Sequence, residues 1–186
     1  MSYKESSVLI TGASQGIGRS IAITFAASTR RPILLLARNQ KNLEQTKFLC
    51  EEAGANQVEV LVCDAAKMED VLNLEIPENF PNPGIIINNA GSYLYKTLAE
   101  TTDEEFRHEV NVNLFTAVHI IKRFLPDLRK EDRALIINIC SVGALRGLKD
   151  SGAYSTSKHA LLGYTRSLRE ELKKTDIAVT AVNLGQ

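Results

Sequence analysis

The chain has 186 residues, and its 22 basic and 22 acidic side chains give a formal net charge of zero. This length is sufficient for one domain with a buried core, and no stretch has the composition of a linker, so residues 1–186 are expected to form a single domain. The even charge balance provides no broad electrostatic surface for nucleic acid or an anionic membrane, which favours a small molecule as the partner.

The start of the sequence and its cysteines both favour a cytoplasmic protein. Residues 1–5 lead into a short apolar stretch without the long hydrophobic segment of a signal peptide or membrane span. Cys50, Cys63 and Cys140 are odd in number, lack metal-ligand spacing and lie in or beside apolar runs. Reduced structural thiols are the favoured interpretation, and no metal site is expected.

Six short apolar runs alternate with longer segments of helical periodicity. The runs span residues 8–11, 33–37, 58–63, 85–88, 135–140 and 177–183. They are nearly continuous in Val, Ile and Leu, which is typical of strands in a sheet covered by helices on both faces. The repeated strand–helix unit predicts an α/β fold, a three-layer doubly wound parallel sheet of the Rossmann type with about six strands. Its ligand crevice should lie at the carboxyl ends of the strands.

Four helices are predicted from apolar side chains that recur on one face. The third begins at a capping box of Thr102 and Glu105 and ends before Pro126, and the last spans about 151–174. Three prolines within residues 73–83 predict a connection with little helix. The predicted inward faces are Ile17, Ile21 and Phe25; Leu43, Thr46, Cys50 and Ala53; Phe106, Val110, Ala117, Ile121 and Phe124; and Leu161, Leu168 and Leu172.

A glycine-rich turn follows the first strand and opens the first helix. Glycines allow a tight turn and let the backbone approach a pyrophosphate, whose charge is met by the N–H groups at the helix start. The spacing is Gly-x-x-x-Gly-x-Gly, and an ordinary strand-to-helix turn is the alternative interpretation. The candidate phosphate-binding residues are Gly12, Ser14, Gln15, Gly16, Ile17 and Gly18.

The end of the second strand selects between nicotinamide dinucleotides in this architecture. An acidic residue there binds a free ribose 2′-OH, whereas a basic one accepts a 2′-phosphate. Ala37 and Arg38 occupy this place, so NADP(H) is preferred over NAD(H), although Arg38 is equally explained as a solvated loop residue. Asp64, after the third strand, could accept from the adenine amino group, and a helix N-cap is the plainer interpretation.

Tyr154 and Lys158 are four residues apart at the start of the last helix, which places both on one face. A tyrosine is a poor proton donor at neutral pH, but an ammonium about 4 Å away stabilises the phenolate by about 4 kcal/mol at an effective dielectric of about 20. One lysine is therefore enough in principle to activate the phenol. The spacing alone occurs often by chance and is more typical of a polar helix surface.

Two further polar residues fall where the fold predicts a site or a core. Ser141 lies just past the fifth strand, at the expected ligand edge, where its hydroxyl could bond a substrate carbonyl oxygen or simply form a turn before Gly143. Asn113 interrupts an apolar helical stripe, and a buried amide without partners costs about 1–3 kcal/mol. It therefore needs partners, in a polar network or as a core amide that fixes helix packing.

Together these residues resemble the short-chain dehydrogenase/reductase family from about Ser7 onward. Within the family, Arg38-Asn39 and residues 50–55 are faintly similar to sepiapterin reductase-type members, and 3-oxoacyl-carrier-protein reductases are a comparable match. The shared motifs, highly specific in this order and spacing, are Thr11-Gly12 with Gly16 and Gly18, Asn88-Asn89-Ala90-Gly91, Asn113, Ser141, and Tyr154 with Lys158.

The resemblance implies a role for each matching residue. Tyr154 would be the general acid for carbonyl reduction and the base for the reverse oxidation. Lys158 would activate Tyr154 and bind the nicotinamide ribose, Ser141 would polarise the carbonyl, and Asn113 would hold a water linking Lys158 to solvent. Arg38 takes the 2′-phosphate role and Asp64 the adenine role. Asn89, Ala90 and Gly91 would stabilise the central sheet and line the cofactor site.

The sequence departs from the family pattern at two positions and in its length. Gln15 stands where many NADP-dependent members have a basic residue, which weakens the NADP(H) expectation without reversing it. Leu184-Gly185 stands in place of the usual Pro-Gly. Relatives continue into a substrate-covering loop, another helix and a seventh strand. We therefore expect this dinucleotide-binding and catalytic domain to be incomplete at its carboxyl end.

The expected function is NADP(H)-dependent reduction of a small-molecule carbonyl to an alcohol, or the reverse. The alternative is a dinucleotide-binding regulatory or scaffold protein without turnover, for which the complete set of Asn113, Ser141, Tyr154 and Lys158 has no use. The resemblance also implies a homodimer or homotetramer joined through the helices that carry Asn113 and Tyr154.

Overall fold

The computed structural model describes residues 6–185, which form one parallel sheet flanked by helices on both faces. The strand order is β3-β2-β1-β4-β5-β6. Each predicted run coincides with a strand to within two residues at either end, and the doubly wound α/β fold is confirmed. The strands are β1 (Ser7–Thr11), β2 (Ile33–Ala37), β3 (Val58–Val62), β4 (Pro83–Asn88), β5 (Ala134–Ser141) and β6 (Ile177–Leu184).

Six α-helices connect the strands within the described residues. They are α1 (Gly16–Ser28), α2 (Gln40–Glu52), α3 (Met68–Leu72), α4 (Asp103–Val110), α5 (Thr116–Leu128) and α6 (Gly152–Glu171). Residues 73–83 contain no helix, as their prolines predict. Of the helices in residues 6–185, none is both long and apolar enough to cross a bilayer.

The core consists of two main layers on opposite faces of the sheet. Leu9, Leu34 and Ile86 pack toward α5 and α6, whereas their neighbours in sequence, such as Val8 and Leu35, pack toward α1 and α2. Both alternating sets of side chains are therefore buried, which explains the continuous apolar runs. Strand β6 differs, because Ile177 and Val179 are buried while Ala178 and Val182 are exposed.

The inward face of α1 is not the one that its large side chains predict. Ile17 is 54% exposed, and the buried residues are Gly18, Ala22 and Ala26. Small side chains let the helix approach the sheet closely, so the larger Ile21 and Phe25 pack only at the edge of the core. On α2, by contrast, the predicted face is buried at Leu43, Thr46 and Cys50.

A π-helical turn (Asn111–Phe115) joins α4 to α5, so the third predicted helix is not one continuous α-helix. The capping box of Thr102 and Glu105 is confirmed, but the helix continues through Pro126 to Leu128. Pro126 is exposed in the last turn of α5. It has no N–H to donate to the carbonyl four residues earlier, and water can bond that carbonyl instead.

The π turn also shifts the inward face of this long helix. It inserts one residue into the turn, so side chains before it are out of phase with the stripe on α5. Ala117, Ile121 and Phe124 are buried as predicted, whereas Phe106 and Val110 line a surface groove. Glu109 and Asn113 point inward in their place.

Helix α6 has the predicted buried residues Leu161 and Leu168, and Leu172 caps its end. The cysteines are also as predicted: Cys50, Cys63 and Cys140 are free and buried. Burial raises the pKa of the Cys50 and Cys63 thiols to about 11, with nearby carboxylates adding to the effect. Both thiols therefore stay protonated near neutral pH.

A chain of buried side chains crosses from the sheet to α6. Asn88 Nδ2 on β4 donates to Asn138 Oδ1 on β5 at 2.8 Å, and Asn138 Nδ2 donates to Thr165 Oγ1 on α6 at 2.8 Å. Thr165 Oγ1 in turn donates to the carbonyl of Leu161 at 2.7 Å. Because Asn138 and Thr165 are fully buried, water cannot replace a lost bond.

Thr165→Val should lower the free energy of unfolding by about 1–3 kcal/mol, since it leaves the buried Asn138 amide without an acceptor. Thr24→Val is the matched control, because Thr24 makes the same helical bond to a carbonyl four residues earlier but is exposed. It should change stability by less than about 0.5 kcal/mol. Urea denaturation measures both, and equal effects would show that the buried chain contributes nothing specific.

Candidate active site

The glycine-rich turn sits at the carboxyl end of β1 and is packed tightly against the sheet. Gly12 and Gly16 have φ of +66° and +55°, which favour glycine. A Cβ on Gly12 would lie 2.9 Å from Ala90 Cα, and one on Gly18 would lie 2.3 Å from the carbonyl oxygen of Gly12. Gly18 therefore serves helix–turn packing, whereas Gly16 has open space around its α-carbon.

This turn borders a cavity of about 460 Å³ at the carboxyl edge of the sheet. The α1 N-cap residue, Gln15, makes no side-chain capping bond, and the first helical turn contains no acidic residue. The N–H groups at the helix start thus remain available to an anion, so the site fits the pyrophosphate of a dinucleotide. Of the candidate cofactor residues, the cavity is lined by Gly12, Ser14, Gln15, Gly16, Ile17, Arg38, Asp64, Asn89, Ala90 and Gly91.

Arg38 and Asp64 lie at separate walls of this cavity, at the ends of β2 and β3. Arg38 is exposed, as either sequence interpretation allows. Asp64 Oδ1 accepts from the backbone N–H of Ala66 at 3.2 Å, while the next helix begins only at Met68 with Lys67 as its N-cap. The helix-cap interpretation of Asp64 is therefore wrong, because its side chain closes a turn before that helix.

Thr11 connects the glycine turn to the end of β4. Its Oγ1 accepts from the backbone N–H groups of Asn89 and Ala90, each at 3.0 Å. Asn89 Nδ2 donates back to the carbonyl oxygen of Thr11 at 3.0 Å. These bonds hold the two strand ends together at the point where the strand order reverses, which is where ligands bind in such sheets.

Tyr154 and Lys158 lie on the same side of α6, near the same edge of the sheet. Lys158 Nζ is 5.9 Å from the centre of the Tyr154 ring. A Cβ on Gly143 would lie 3.2 Å from Tyr154 Cε1 and 3.5 Å from Ser141 Oγ, so the tyrosine and the serine border one space. The Tyr154 hydroxyl makes no hydrogen bond within residues 6–185, which leaves it open to a ligand.

Lys158 is a buried cation, with only 6% of its surface exposed. Its Nζ donates to the carbonyl oxygen of Ile139 on β5 at 3.2 Å. Burial lowers the pKa of Lys158, and the nearby Cys140 and Glu109 partly oppose this change. The surrounding protein therefore decides whether this amine keeps its proton.

Ser141 ends β5 and is also buried. Its Oγ accepts from the backbone N–H of Gly143 at 3.1 Å, so the turn-forming interpretation is correct for one of its bonds. A hydroxyl also has a proton to donate, and no acceptor for that proton lies within reach among the described residues. This turn therefore orients the Ser141 side chain without using its hydroxyl proton.

Asn113 lies in the π turn, 1% exposed, with both of its amide protons and one lone pair of its amide oxygen in hydrogen bonds. Its Oδ1 accepts from the backbone N–H of Ser92, and its Nδ2 donates to the carbonyl oxygen of Ser92, both at 3.1 Å. Nδ2 also donates to Glu109 Oε2 at 3.1 Å. A Cβ on Gly91 would lie 2.7 Å from Asn113 Oδ1 and 3.3 Å from Lys158 Nζ. Gly91 therefore lies between the cavity and the residues around Lys158.

Comparison with known proteins identifies the family. The model of the short chain dehydrogenase family matches residues 6–186. The chain belongs to the short-chain dehydrogenase family of oxidoreductase enzymes. The resemblance drawn from the sequence motifs is thereby confirmed.

Three relatives illustrate this membership. Fatty acyl-CoA reductase of Acinetobacter baylyi is 36% identical over 178 residues, which cover 94% of this chain and 60% of that protein. Sepiapterin reductase of Chlorobaculum tepidum is 30% identical over 186 residues, covering 96% of this chain and 76% of its own length. A crystal structure of an actinorhodin polyketide ketoreductase variant with NADPH superposes with a TM-score of 0.90 at 30% identity, over 98% of this chain and 71% of that one.

Several residues around the site of this short-chain dehydrogenase were not expected from the sequence. Arg19 Nη2 donates to the carbonyl oxygen of Ser14 at 2.5 Å, bracing the turn from behind. Tyr93 packs edge-on against Tyr154, with ring centres 4.8 Å apart, and its hydroxyl shares a 3.1 Å hydrogen bond with Ser151 Oγ. Glu109 faces inward only because the π turn shifts the helix. The one signal visible beforehand was an aromatic residue, Tyr93, two positions after the last glycine of the Asn-Asn-Ala-Gly motif.

Gly18→Ala should lower the free energy of unfolding by about 1–3 kcal/mol, since the added methyl group collides with the backbone of the turn. Gly163→Ala is the matched control, because Gly163 is also helical but its Cβ position is open. That change should raise the free energy of unfolding by about 0.5–1 kcal/mol. Urea denaturation tests both variants. A Gly18→Ala protein as stable as the wild type would contradict the close approach of α1 to the turn.

Proposed function

We propose that this chain is an NADP(H)-dependent oxidoreductase that reduces a carbonyl of a small molecule to an alcohol, or catalyses the reverse reaction. One observation carries the proposal: Tyr154 has Lys158 beside it and borders one space with Ser141, and Lys158 approaches Gly91 in the lining of the glycine-lined cavity. A phenol and a free hydroxyl proton that border one space, with a lysine beside the phenol, suit general acid catalysis at a carbonyl oxygen.

A dinucleotide bound against the glycine-rich turn would supply the hydride for the carbonyl carbon in the proposed reduction. Tyr154 donates its phenolic proton to the carbonyl oxygen as negative charge develops there. Ser141 donates its free hydroxyl proton in a hydrogen bond to the same oxygen, which polarises the carbonyl and stabilises the developing alkoxide. In the oxidation direction the same phenolate accepts the alcohol proton.

Lys158 and Asn113 support this proton transfer. The Lys158 ammonium favours the phenolate that remains on Tyr154, since opposite charges nearby stabilise one another. Asn113 Oδ1 has one lone pair committed to the Ser92 N–H, and its second can accept from a water beside Lys158. Such a water would return a proton to the site after each turnover.

Tyr154→Phe should reduce kcat/KM for NADPH oxidation by about 10²–10⁴-fold, because the ring remains but the proton donor is lost. NADPH oxidation is followed by absorbance with diacetyl and a wider carbonyl panel, and NADPH binding by fluorescence. Binding should change little. Tyr164→Phe, on the same helix but outside the site, is the control and should keep wild-type turnover.

These measurements also distinguish the proposed oxidoreductase from a binding protein without turnover. Retained turnover in Tyr154→Phe would contradict the proposed role of the phenol. Tight NADPH binding by the wild type without oxidation by any carbonyl would favour the alternative, a dinucleotide-binding regulatory or scaffold protein.

The preference for NADP(H) rests on charge at the end of β2. Arg38 lines the cavity there, and its exposed guanidinium can bond a 2′-phosphate in bidentate fashion. No acidic residue follows Ala37 directly to hold a free ribose hydroxyl. Gln15 contributes no charge to this site. A single arginine therefore carries the proposed selectivity.

Arg38→Asp should reduce the preference for NADPH over NADH by about tenfold to a hundredfold, through loss of charge-assisted bonds worth about 1.5–3 kcal/mol. Dissociation constants for both dinucleotides measure the ratio. Arg30→Asp is the control, since it makes the same charge change at the opposite end of β2 and should leave the ratio unaltered. Equal ratios in the two variants would remove Arg38 from the 2′-phosphate site.

The expected homodimer or homotetramer has one supporting surface. Phe106, Val110 and Phe115, on α4 and the π turn, line a surface groove of about 500 Å³, and Phe115 is 43% exposed. An apolar groove on one of the predicted contact helices is a suitable place for a second copy of the chain.

A further inference from the structure

Glu109 is a buried acidic residue that the proposed mechanism does not use. It is 3% exposed, on the inward side of α4. Its Oε1 accepts from Ser92 Oγ at 2.6 Å, and its Oε2 accepts from Asn113 Nδ2 at 3.1 Å. Within residues 6–185 no basic side chain forms an ion pair with it. A buried carboxylate without a cation in contact is costly, and an apolar side chain would cost less.

The Glu109 carboxylate helps to determine which way the Asn113 amide faces. A carboxylate only accepts hydrogen bonds, so it selects the amide nitrogen of Asn113 as its neighbour. The amide oxygen then points toward the N–H of Ser92 and the space at Gly91. With the amide reversed, its NH₂ group would face the Ser92 N–H and its oxygen would face the carboxylate, which is unfavourable at both ends.

Lys158 lies on the other side of Asn113. Its Nζ and Asn113 Oδ1 are both within 3.3 Å of the point where a Gly91 Cβ would be. Among residues 6–185, the Lys158 amine has one hydrogen bond, to the carbonyl of Ile139, and no carboxylate in direct contact. The negative charge of Glu109 acts on it at longer range and opposes the lowering of the Lys158 pKa by burial. In this weakly polar interior, such an interaction is less screened than at the surface.

We propose that Glu109 is a positioning residue of the active site, whose carboxylate orients Asn113 and supplies the negative charge that balances the Lys158 ammonium across it. The inference rests on the proposed function, in which Lys158 acts as a cation. It explains why a carboxylate is buried here despite the energetic cost: the charge of Glu109 keeps Lys158 protonated. Glu109 itself is not among the residues that line the glycine-lined cavity.

Other titratable groups near this network must be separated from Glu109. Some share a surface cavity of about 260 Å³ with its outer side, and others surround Lys158. The effect of removing the Glu109 charge must therefore be compared with the effect of removing a neighbouring charge. These groups are Glu104, Glu105 and His108 on α4, Lys96 paired with Glu105, Cys140 at the end of β5, and Tyr154 on α6.

Glu109→Gln separates charge from geometry. The glutamine oxygen can still accept from Asn113 Nδ2, and its NH₂ group can donate to the Ser92 hydroxyl, so both bonds are replaced while the charge is lost. Glu104→Gln removes one charge from the same helix at an exposed position and is the control. Ser92→Ala is the opposite variant, since it removes a bond to Glu109 and keeps the charge.

The expected direction follows from the sign of the interaction. Removing the Glu109 charge removes an influence that raises the Lys158 pKa, so Lys158 should lose its proton at lower pH than in the wild type. The basic limb of the pH profile of kcat/KM with diacetyl should therefore move to lower pH in Glu109→Gln. It should stay in place in Glu104→Gln and in Ser92→Ala. Glu109→Ala, which also frees the Asn113 amide, should lose about a further tenfold in kcat/KM.

A second measurement does not depend on turnover. Competitive acetylation with acetic anhydride at a series of pH values, read by mass spectrometry, reports the fraction of Lys158 that is neutral. Labelling of Lys158 should begin at lower pH in Glu109→Gln than in the wild type and in Glu104→Gln. If the wild type oxidises no NADPH with any carbonyl, the proposed function fails, and this titration still decides the role of Glu109.

Two results would overturn the inference. One is a Lys158 titration unchanged in Glu109→Gln, because Glu109 would then be only a structural partner of Ser92 and Asn113. The other is an equal shift in Glu104→Gln, because the effect would then reflect the net charge of α4.

Discussion

The burial of the Lys158 ammonium is the constraint around which the site is arranged. A cation on the inward face of α6 loses its hydration, and its hydrogen-bond partner in the described part of the chain is the carbonyl of Ile139 on β5. That bond ties the helix to the sheet edge where the strands end, so Tyr154 one turn earlier is held at the same edge. The same burial makes the charge of Lys158 sensitive to Glu109, which lies beyond Asn113.

A second constraint is the close approach of backbone to backbone at the end of β1. Gly12 and Gly18 leave no room for side chains between the turn, α1 and the end of β4. Thr11 closes this contact by bonding the backbone of Asn89 and Ala90. The result is a cavity walled by main chain and by the start of a helix, which suits a charged, extended ligand. Gly91 lies where this cavity meets the residues around Lys158.

The π turn at Asn111–Phe115 connects fold and site. It brings Glu109 inward beside Asn113, and both side chains hydrogen-bond to Ser92. It also turns Phe106 and Val110 outward, into the surface groove. A regular α-helix through this segment would have placed the apolar stripe, with Asn113 in it, in the core and would have turned Glu109 away from it.

The sheet and the family could be predicted from the sequence alone, and so could the candidate site residues, whose roles are proposals. Continuous apolar runs, glycine spacing and the pair Tyr154 and Lys158 are local patterns, so they are visible without coordinates. The inward face of α1, the path of the helix through Pro126 and the turn at Asp64 were decided only by tertiary structure. Each depends on which residues pack opposite. Small residues form the buried face of α1 because the sheet is near, and Glu109 is buried because the π turn rotates it toward Ser92. A helical period read from the sequence assumes an unbroken α-helix, and it therefore could not detect that turn.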